Sequence, residues 1–397
     1  MNITTETTAI ANDMIDQISA AAAEIEAQAD ENEQLAQLNE ATLSVLKRIG
    51  LLEAMAPAEY GGADLTIYDV LRVFESLGYV DASTSWVAMI PGVQGKGLLL
   101  LDTETRDKLA VGGYPFVSGQ GAPTGRAKVT DGGYLVSGRW SYGSGFHHCD
   151  IATGVALVVD DSGPVLAENG LPDAVLFYTP STNAVIEGNW SVLGMRATGS
   201  VDYSLTDVFV PENRVARAPF ATTLGGNGQA KLLGFTGWVM SVHCAVPTGV
   251  GRRLLDELTL FARRPSSRGV RLADDPRFAS GYAKAEAAYR SARAFMYEAF
   301  GSAQERMNRG EPASRRDLTD MRAASVLMHD VNVDNATFAF RECGGTTLRA
   351  GRLQRLYRDI MAMGQHVQAS QPTWGEIAKD YLGDADDMHW ELNRLVP

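Results

Sequence analysis

A chain of 397 residues can hold two or three domains, and with 45% hydrophobic and 21% charged residues it has the make-up of an ordinary globular protein. A net charge of −13 and the lack of any basic tract argue against a nucleic-acid partner. The three scattered cysteines, Cys149, Cys244 and Cys343, suit neither a disulfide framework nor a zinc site; no run of about 18 apolar residues offers a membrane span, and MNITTETTAIANDMIDQI lacks the regions of a signal peptide, so the expectation is a cytoplasmic protein without a membrane or metal partner.

In chain order, residues 1–113 read as a helical domain. The segment from Ala9 to Met55 is rich in Ala, Glu, Gln and Leu, and Gly61-Gly62 marks a turn. A helix is expected over Thr66 to Leu77, then a second capped by Ser83, carrying Trp86 and Met89 and interrupted by Pro91. From Tyr114 the period changes to alternation, with DGG at 131–133 as a hairpin signal, so 114–218 reads as a β domain. After Pro219 long amphipathic runs cover about 232–261, 277–307, 318–340, 353–370 and 374–382, and 219–397 reads as an antiparallel helix bundle.

Familiar catalytic signatures are missing. There is no dinucleotide-binding or P-loop pattern and no GxSxG elbow. His147 and His148 are adjacent, which on a strand would aim them at opposite faces and away from a shared metal. Reactivity on such a chain calls for a borrowed organic cofactor.

Three segments in order resemble one family: GRWSYGSGFHHCD (138–150), WSVLGMRATGSVDYSLTDVFVPE (190–212) and ECGGTTLRAGRLQRLYRDIMAMGQH (342–366). Together with the α, β, α order they are similar to the acyl-CoA dehydrogenase superfamily. The resemblance implies an α+β fold with an N-terminal all-α domain, a central β-barrel and a C-terminal four-helix bundle that builds a homotetramer. It also implies flavin between barrel and bundle. Dehydrogenases of this family take a carbon-bound proton with a carboxylate, yet Ile360 to Ser370 and Phe235 to Pro247 contain no Asp or Glu. His366 stands within a residue of the usual base position, and an imidazole suits a phenol, indole or amine better than a carbon acid.

This pattern resembles the two-component flavin-dependent monooxygenase branch. What it implies is an oxygenase component that receives reduced flavin, FMNH2 or FADH2, from an NAD(P)H-dependent flavin reductase, forms a C4a-hydroperoxyflavin with dioxygen, and hydroxylates a bulky aromatic small molecule. His366 would be base or orienting group, and Ser144 would stabilise the hydroperoxide beside flavin N5. Trp140 would lie against the flavin ring, and Thr198, Gly199 and Ser200 would contact it. Arg264 or Arg263, with Arg264 favoured, and Gly344-Gly345 would meet the flavin phosphate. Trp86, Ser118, Gln120 and Trp238 would line the substrate pocket, while Arg358 and Asp359 would form a structural ion pair. Two other readings stay open: an acyl-CoA dehydrogenase or oxidase with a displaced base, and a non-catalytic flavin-binding paralogue. FMN against FAD, and indoles against other aromatics, amines or polyketide-like compounds, are not separable from the sequence.

Overall fold

The computed structural model describes residues 3–167, 170, 172–217, 224–225, 228–266 and 269–396. The first part of the chain is helical, with α1 (Ile3–Leu35), α2 (Glu40–Ile49), α3 (Ile67–Val80), α4 (Ala82–Gly95) and α5 (Thr103–Leu109). Asn39, Thr66, Asp81 and Asp102 accept hydrogen bonds from first-turn N–H groups and so start α2, α3, α4 and α5. The cap of α4 is therefore Asp81, bonded to Thr84 N at 2.8 Å, and Ser83, expected in that role, is already inside the helix. A carboxylate caps well because it also complements the positive end of the helix dipole. Pro91, expected to interrupt α4, is carried within it. The helix loses one internal hydrogen bond there, but nearly all of its residues are buried, and packing holds it across the gap.

Eight strands follow among the described residues: β1 (Val117–Thr130), β2 (Gly133–Gly143), β3 (Ile151–Asp160), β4 (Gly163–Pro164), β5 (Ala174–Pro180), β6 (Val185–Ile186), β7 (Val201–Pro211) and β8 (Val215–Arg217). They form a mixed sheet in the order β6-β7-β2-β1-β3-β5-β8, with β4 on β3. β1 and β2 make the hairpin expected at DGG, pairing Thr130 with Gly133 across a turn in which Gly132 has φ +72°. β1 and β3 are parallel. The end strands β6 and β8, two and three residues long, do not pair with each other, so the expected closed β-barrel is corrected to an open mixed sheet.

The C-terminal part contains α6 (Gln229–Ser241), α7 (Ala245–Arg263), α8 (Pro276–Asn308), α9 (Arg315–Cys343), α10 (Arg352–Met363) and α11 (Thr373–Leu382). Helices α7 to α10 pack on one another, but α6 and α11 also pack on α9, so the assembly is larger than the four-helix bundle expected. The chain ends in a hairpin of β9 (His389–Glu391) and β10 (Arg394–Val396), where only helix was expected. Trp390 and Leu395 bury its inner face, and the Arg322 guanidinium lies 4.4 Å over the Trp390 ring. The boundary expected at 218–219 lies outside the described residues. No helix among them is long and apolar enough to cross a membrane.

Two expected helices are each broken. The run 232–261 is interrupted by a 3-10 turn at Val242–Cys244, and the run 353–370 ends at Met363 before another 3-10 turn at Val367–Ala369. Helix α4 touches β1, α6, α7 and α10, so it lies where the sheet and both helical parts meet.

Candidate functional site

Trp86 on α4 is 7% exposed and donates Nε1–H to Ser144 Oγ at 3.1 Å. Ser144 directly follows β2, in a turn where Gly145 takes φ +68° and a Cβ would come 3.0 Å from the Phe116 ring. Ser144 Oγ is 2.7 Å from Ser200 Oγ, Ser200 Oγ is 2.6 Å from Thr198 Oγ1, and Thr198 donates to Met195 O at 2.8 Å. The carbonyl fixes the direction of the whole chain. It only accepts, so Thr198 gives it its proton, Ser200 donates to Thr198, and Ser144 donates to Ser200. Ser144 accepts from Trp86 and keeps one lone pair for an incoming donor. Ser118, expected to line a pocket, is fully buried and donates to the Ser144 carbonyl at 2.7 Å, so it steadies this turn.

The loop is pinned from the helical side as well. Asp359 on α10 accepts from Met195 N at 2.6 Å, while Arg358 pairs with Glu33 at 3.0 Å and donates to Leu193 O at 3.1 Å. Arg358 and Asp359, expected to pair with each other, thus serve different partners, because consecutive helical residues do not face one another. Burial pushes the Asp359 carboxyl up to about 7, with Asp81 and Glu33 adding to the rise.

His366 lies just beyond α10, where its Nδ1 accepts from Gln368 N at 3.3 Å. Its ring meets Trp86 edge to face at 5.1 Å and stacks on His243 at 4.6 Å and 24°. His243, on the turn between α6 and α7, is 7% exposed and has Nδ1 2.9 Å from Val239 O. A third imidazole, His329 of α9, is buried with its Nε2 unpartnered. Burial pushes His243 and His329 down to about 4 and His366 well below the usual histidine range, and the neighbouring rings lower His329 and His366 further. The three are therefore neutral near pH 7, and no carboxylate acts on them. No group of three or more His, Cys, Asp or Glu among the described residues is placed to hold a metal ion.

A second region is a cavity of about 710 Å³ between the end of α7 and the start of α10. Arg264, Gly345, Arg349 and Arg352 line it together with Leu260 and Phe261. Arg263 and Gly344 are not part of its lining. Gly344 instead ends α9, with φ +52°.

Other expected site residues have structural positions. Trp140 does not present its ring to the site. It is fully buried in the sheet, with Nε1–H donated to Val155 O at 2.9 Å and its ring stacked on Tyr203 at 5.6 Å. Side chains at Gly125 and Gly138 would run into this indole, and a Cβ at Gly154 would lie 2.9 Å from it, so the glycines on β1, β2 and β3 form its slot. Gln120 folds its amide oxygen back onto Ala122 N. Trp238 donates to Gly92 O at 3.2 Å, beneath the Lys96 ammonium at 4.7 Å. Gly199 is left-handed at φ +52°, and a Cβ there would press on Ala36 O at 2.6 Å, so it serves the turn between Thr198 and Ser200.

Known proteins resemble this chain over most of its length. Models of the acyl-CoA dehydrogenase N-terminal and C-terminal domains match residues 5–104 and 241–371. A pigment production hydroxylase of Rhodococcus erythropolis is 27% identical over 366 residues, covering 89% of this chain and 92% of the relative. An indole-3-acetate monooxygenase of Pseudomonas putida is 30% identical over 354 residues, covering 86% of each. The solved structure of XiaF from Streptomyces sp., in complex with FADH2 and glycerol, matches with a TM-score of 0.85 at 22% identity, covering 96% of this chain and 98% of that one. The chain belongs to the acyl-CoA dehydrogenase superfamily, in its branch of two-component flavin-dependent monooxygenases.

Proposed function

We propose that this chain is the oxygenase component of a two-component system. It takes reduced FMN or FAD from a separate NAD(P)H-dependent flavin reductase and hydroxylates a bulky aromatic compound with dioxygen. One oxygen atom enters the substrate and the other leaves as water, with both electrons supplied by the reduced flavin. The observation that carries this reading is the set of side chains around Trp86. Dehydrogenation of an acyl thioester calls for a carboxylate, whereas Trp86 meets two neutral imidazoles, His366 and His243. The buried carboxylate on α10, Asp359, is already bonded to Met195 N.

The residues present suit a reduced flavin. The free lone pair of Ser144 matches the N–H that a reduced flavin carries at N5. Arg264 and Arg349 offer forked donors to a phosphate, and Gly345 lets backbone approach it. The flavin supplies the oxygen chemistry when bound. The chain's own part is to hold N5–H at Ser144, to exclude water with Trp86 and the core around it, and to manage the substrate's proton at the histidines. We also propose a homotetramer, which would cover the exposed Leu260 and Leu348 near the arginine cavity, and a cytoplasmic location, where the reductase finds NAD(P)H.

Rapid mixing of protein and reduced FMN or FAD with dioxygen tests the reading. The protein should delay the return of oxidised flavin relative to free reduced flavin. With an aromatic substrate, label from ¹⁸O₂ should enter the product. Immediate oxidation with stoichiometric hydrogen peroxide, whatever aromatic is offered, would sink it, and bleaching of bound flavin by an acyl-CoA would replace it with a dehydrogenase. His366→Ala should depress product formation more than flavin binding.

A further inference from the structure

The two stacked histidines are not equivalent, and their backbone partners decide which nitrogen of each holds the proton. Val239 O only accepts, so His243 carries its proton on Nδ1, and its neutral ring leaves Nε2 as a bare lone pair. Gln368 N only donates, so Nδ1 of His366 is the lone pair and its proton is on Nε2. Neither Nε2 has a hydrogen-bond partner among the described residues. Two rings 4.6 Å apart thus offer opposite functions, one an acceptor and the other a donor, with Trp86 against both.

We propose that His243, rather than His366, is the base of this site: its Nε2 takes the proton of an aromatic hydroxyl on the substrate, and Nε2–H of His366 hydrogen-bonds the oxygen left behind. The O–H bond breaks, the proton moves to His243, and the electron pair stays on oxygen, from which it enriches the ring carbons that are to be oxygenated. The proposal rests on the oxygenase reading. The base starts neutral with its Nε2 lone pair available. Because the burial that keeps it neutral also opposes an imidazolium, the anion left beside it has to offset that cost. The titratable groups facing His243 are His366, beyond α10, and His329, on α9, while α4 presents Trp86 and no carboxylate competes for the new imidazolium. An anion bound there would be the imidazolium's partner in a desolvated ion pair, and that pairing favours the charged form of both. The base sits on the turn between α6 and α7, the donor on the turn after α10, and α9 packs on both turns.

The test is a spectroscopic titration of 4-nitrophenol, whose phenolate is coloured, with the flavin-free full-length protein. The bound probe should ionise with an acid constant at least about tenfold greater than in solution, a shift of about one pKa unit. His243→Asn keeps a donor for Val239 O but has no base, and should return the bound probe to its solution behaviour. His366→Gln keeps a donor and should preserve the shift. The assignment is overturned if the wild type binds the neutral phenol or leaves the probe's spectrum unchanged. It is equally overturned if the shift survives in His243→Asn. Nitrogen-15 spectra of the wild type give a second measurement that needs no variant, and a protonated Nε2 on His243 near pH 7 would overturn it too. The substrate-free arm of the reduced-flavin mixing experiment times the return of oxidised flavin without any phenol, and the 4-nitrophenol titration contains no flavin. Failure of the oxygenase reading and failure of this assignment are therefore separable.

Discussion

The surroundings of Trp86 and the cavity at Arg264 are built on opposite principles. Around Trp86 the polar groups are neutral and largely buried, and the chain from Trp86 through Ser144, Ser200 and Thr198 to Met195 gives each hydroxyl its partner. Around Arg264 they are charged and open, with Arg349 in the same lining and Arg352 paired there with Glu257 at 2.9 Å. A buried charge without a partner is costly, whereas a hydroxyl needs only a hydrogen bond to be tolerated. The difference teaches that one region suits chemistry needing dryness and fixed protons, and the other suits anchoring an anion. Substitutions in the first should therefore register in stability and proton behaviour, and those in the second in affinity.

The largest effect should come from the sheet leading to Ser144. Trp140→Ala removes a fully buried indole from its slot between Tyr203 and Phe177 and should cost about 3–5 kcal/mol in denaturant unfolding. Loss of flavin affinity at unchanged stability would show instead that this ring belongs to the site.

Next comes Asp359. Its carboxyl ionises at about 7 in the folded chain against an ordinary value of 3.8, so the folded state holds a proton that the unfolded state releases across that window. Stability from this group is complete below about pH 4 and is lost as pH rises through about 7, by on the order of 2–4 kcal/mol. Asp359→Asn keeps an acceptor for Met195 N and should flatten the fall in Tm between pH 5 and 8. An unchanged slope would mean that other groups set it.

In the cavity, Arg264→Ala should weaken binding of reduced flavin by about 10- to 100-fold, the loss of one charge-assisted contact. Its Tm should not move, and Arg263→Ala should leave the affinity alone. Equal losses in both would remove the distinction between the two arginines.

Much of this was legible from spacing and from the family resemblance, and what was not has identifiable causes. Helical periods located α8, α9 and α11 to within a few residues, and DGG located the β1–β2 turn. His243 is hidden in the sequence because 232–261 reads as one continuous amphipathic run, in which a lone histidine carries no signal of its own. Pro247 was the available signal. Proline favours the first turn of a helix, and α7 does begin two residues before it, which puts His243 at a joint. The inward turn of Trp140 was not readable, since the glycines that make its slot come from three strands whose register the sequence does not display. Likewise, the pairing of Asp359 with Met195 spans 164 residues and leaves no local trace.

Ser144→Ala should cost less stability than Trp140→Ala and have the most specific effect on chemistry. Trp86 Nε1–H loses its acceptor, a cost of about 1–3 kcal/mol that water entering the space would reduce. Flavin affinity should scarcely change, because the cavity at Arg264 is untouched. The lone pair that would receive N5–H is gone, however, so oxidised flavin should return sooner after mixing with dioxygen, with more hydrogen peroxide and less hydroxylated product. Ser200→Ala offers the finer comparison. It leaves Ser144 Oγ in place but removes the acceptor of its proton, so Ser144 can turn that proton toward the flavin and oppose N5–H instead of receiving it. If Ser200→Ala behaves as wild type while Ser144→Ala does not, the hydroxyl itself matters but its orientation by Thr198 and Ser200 does not.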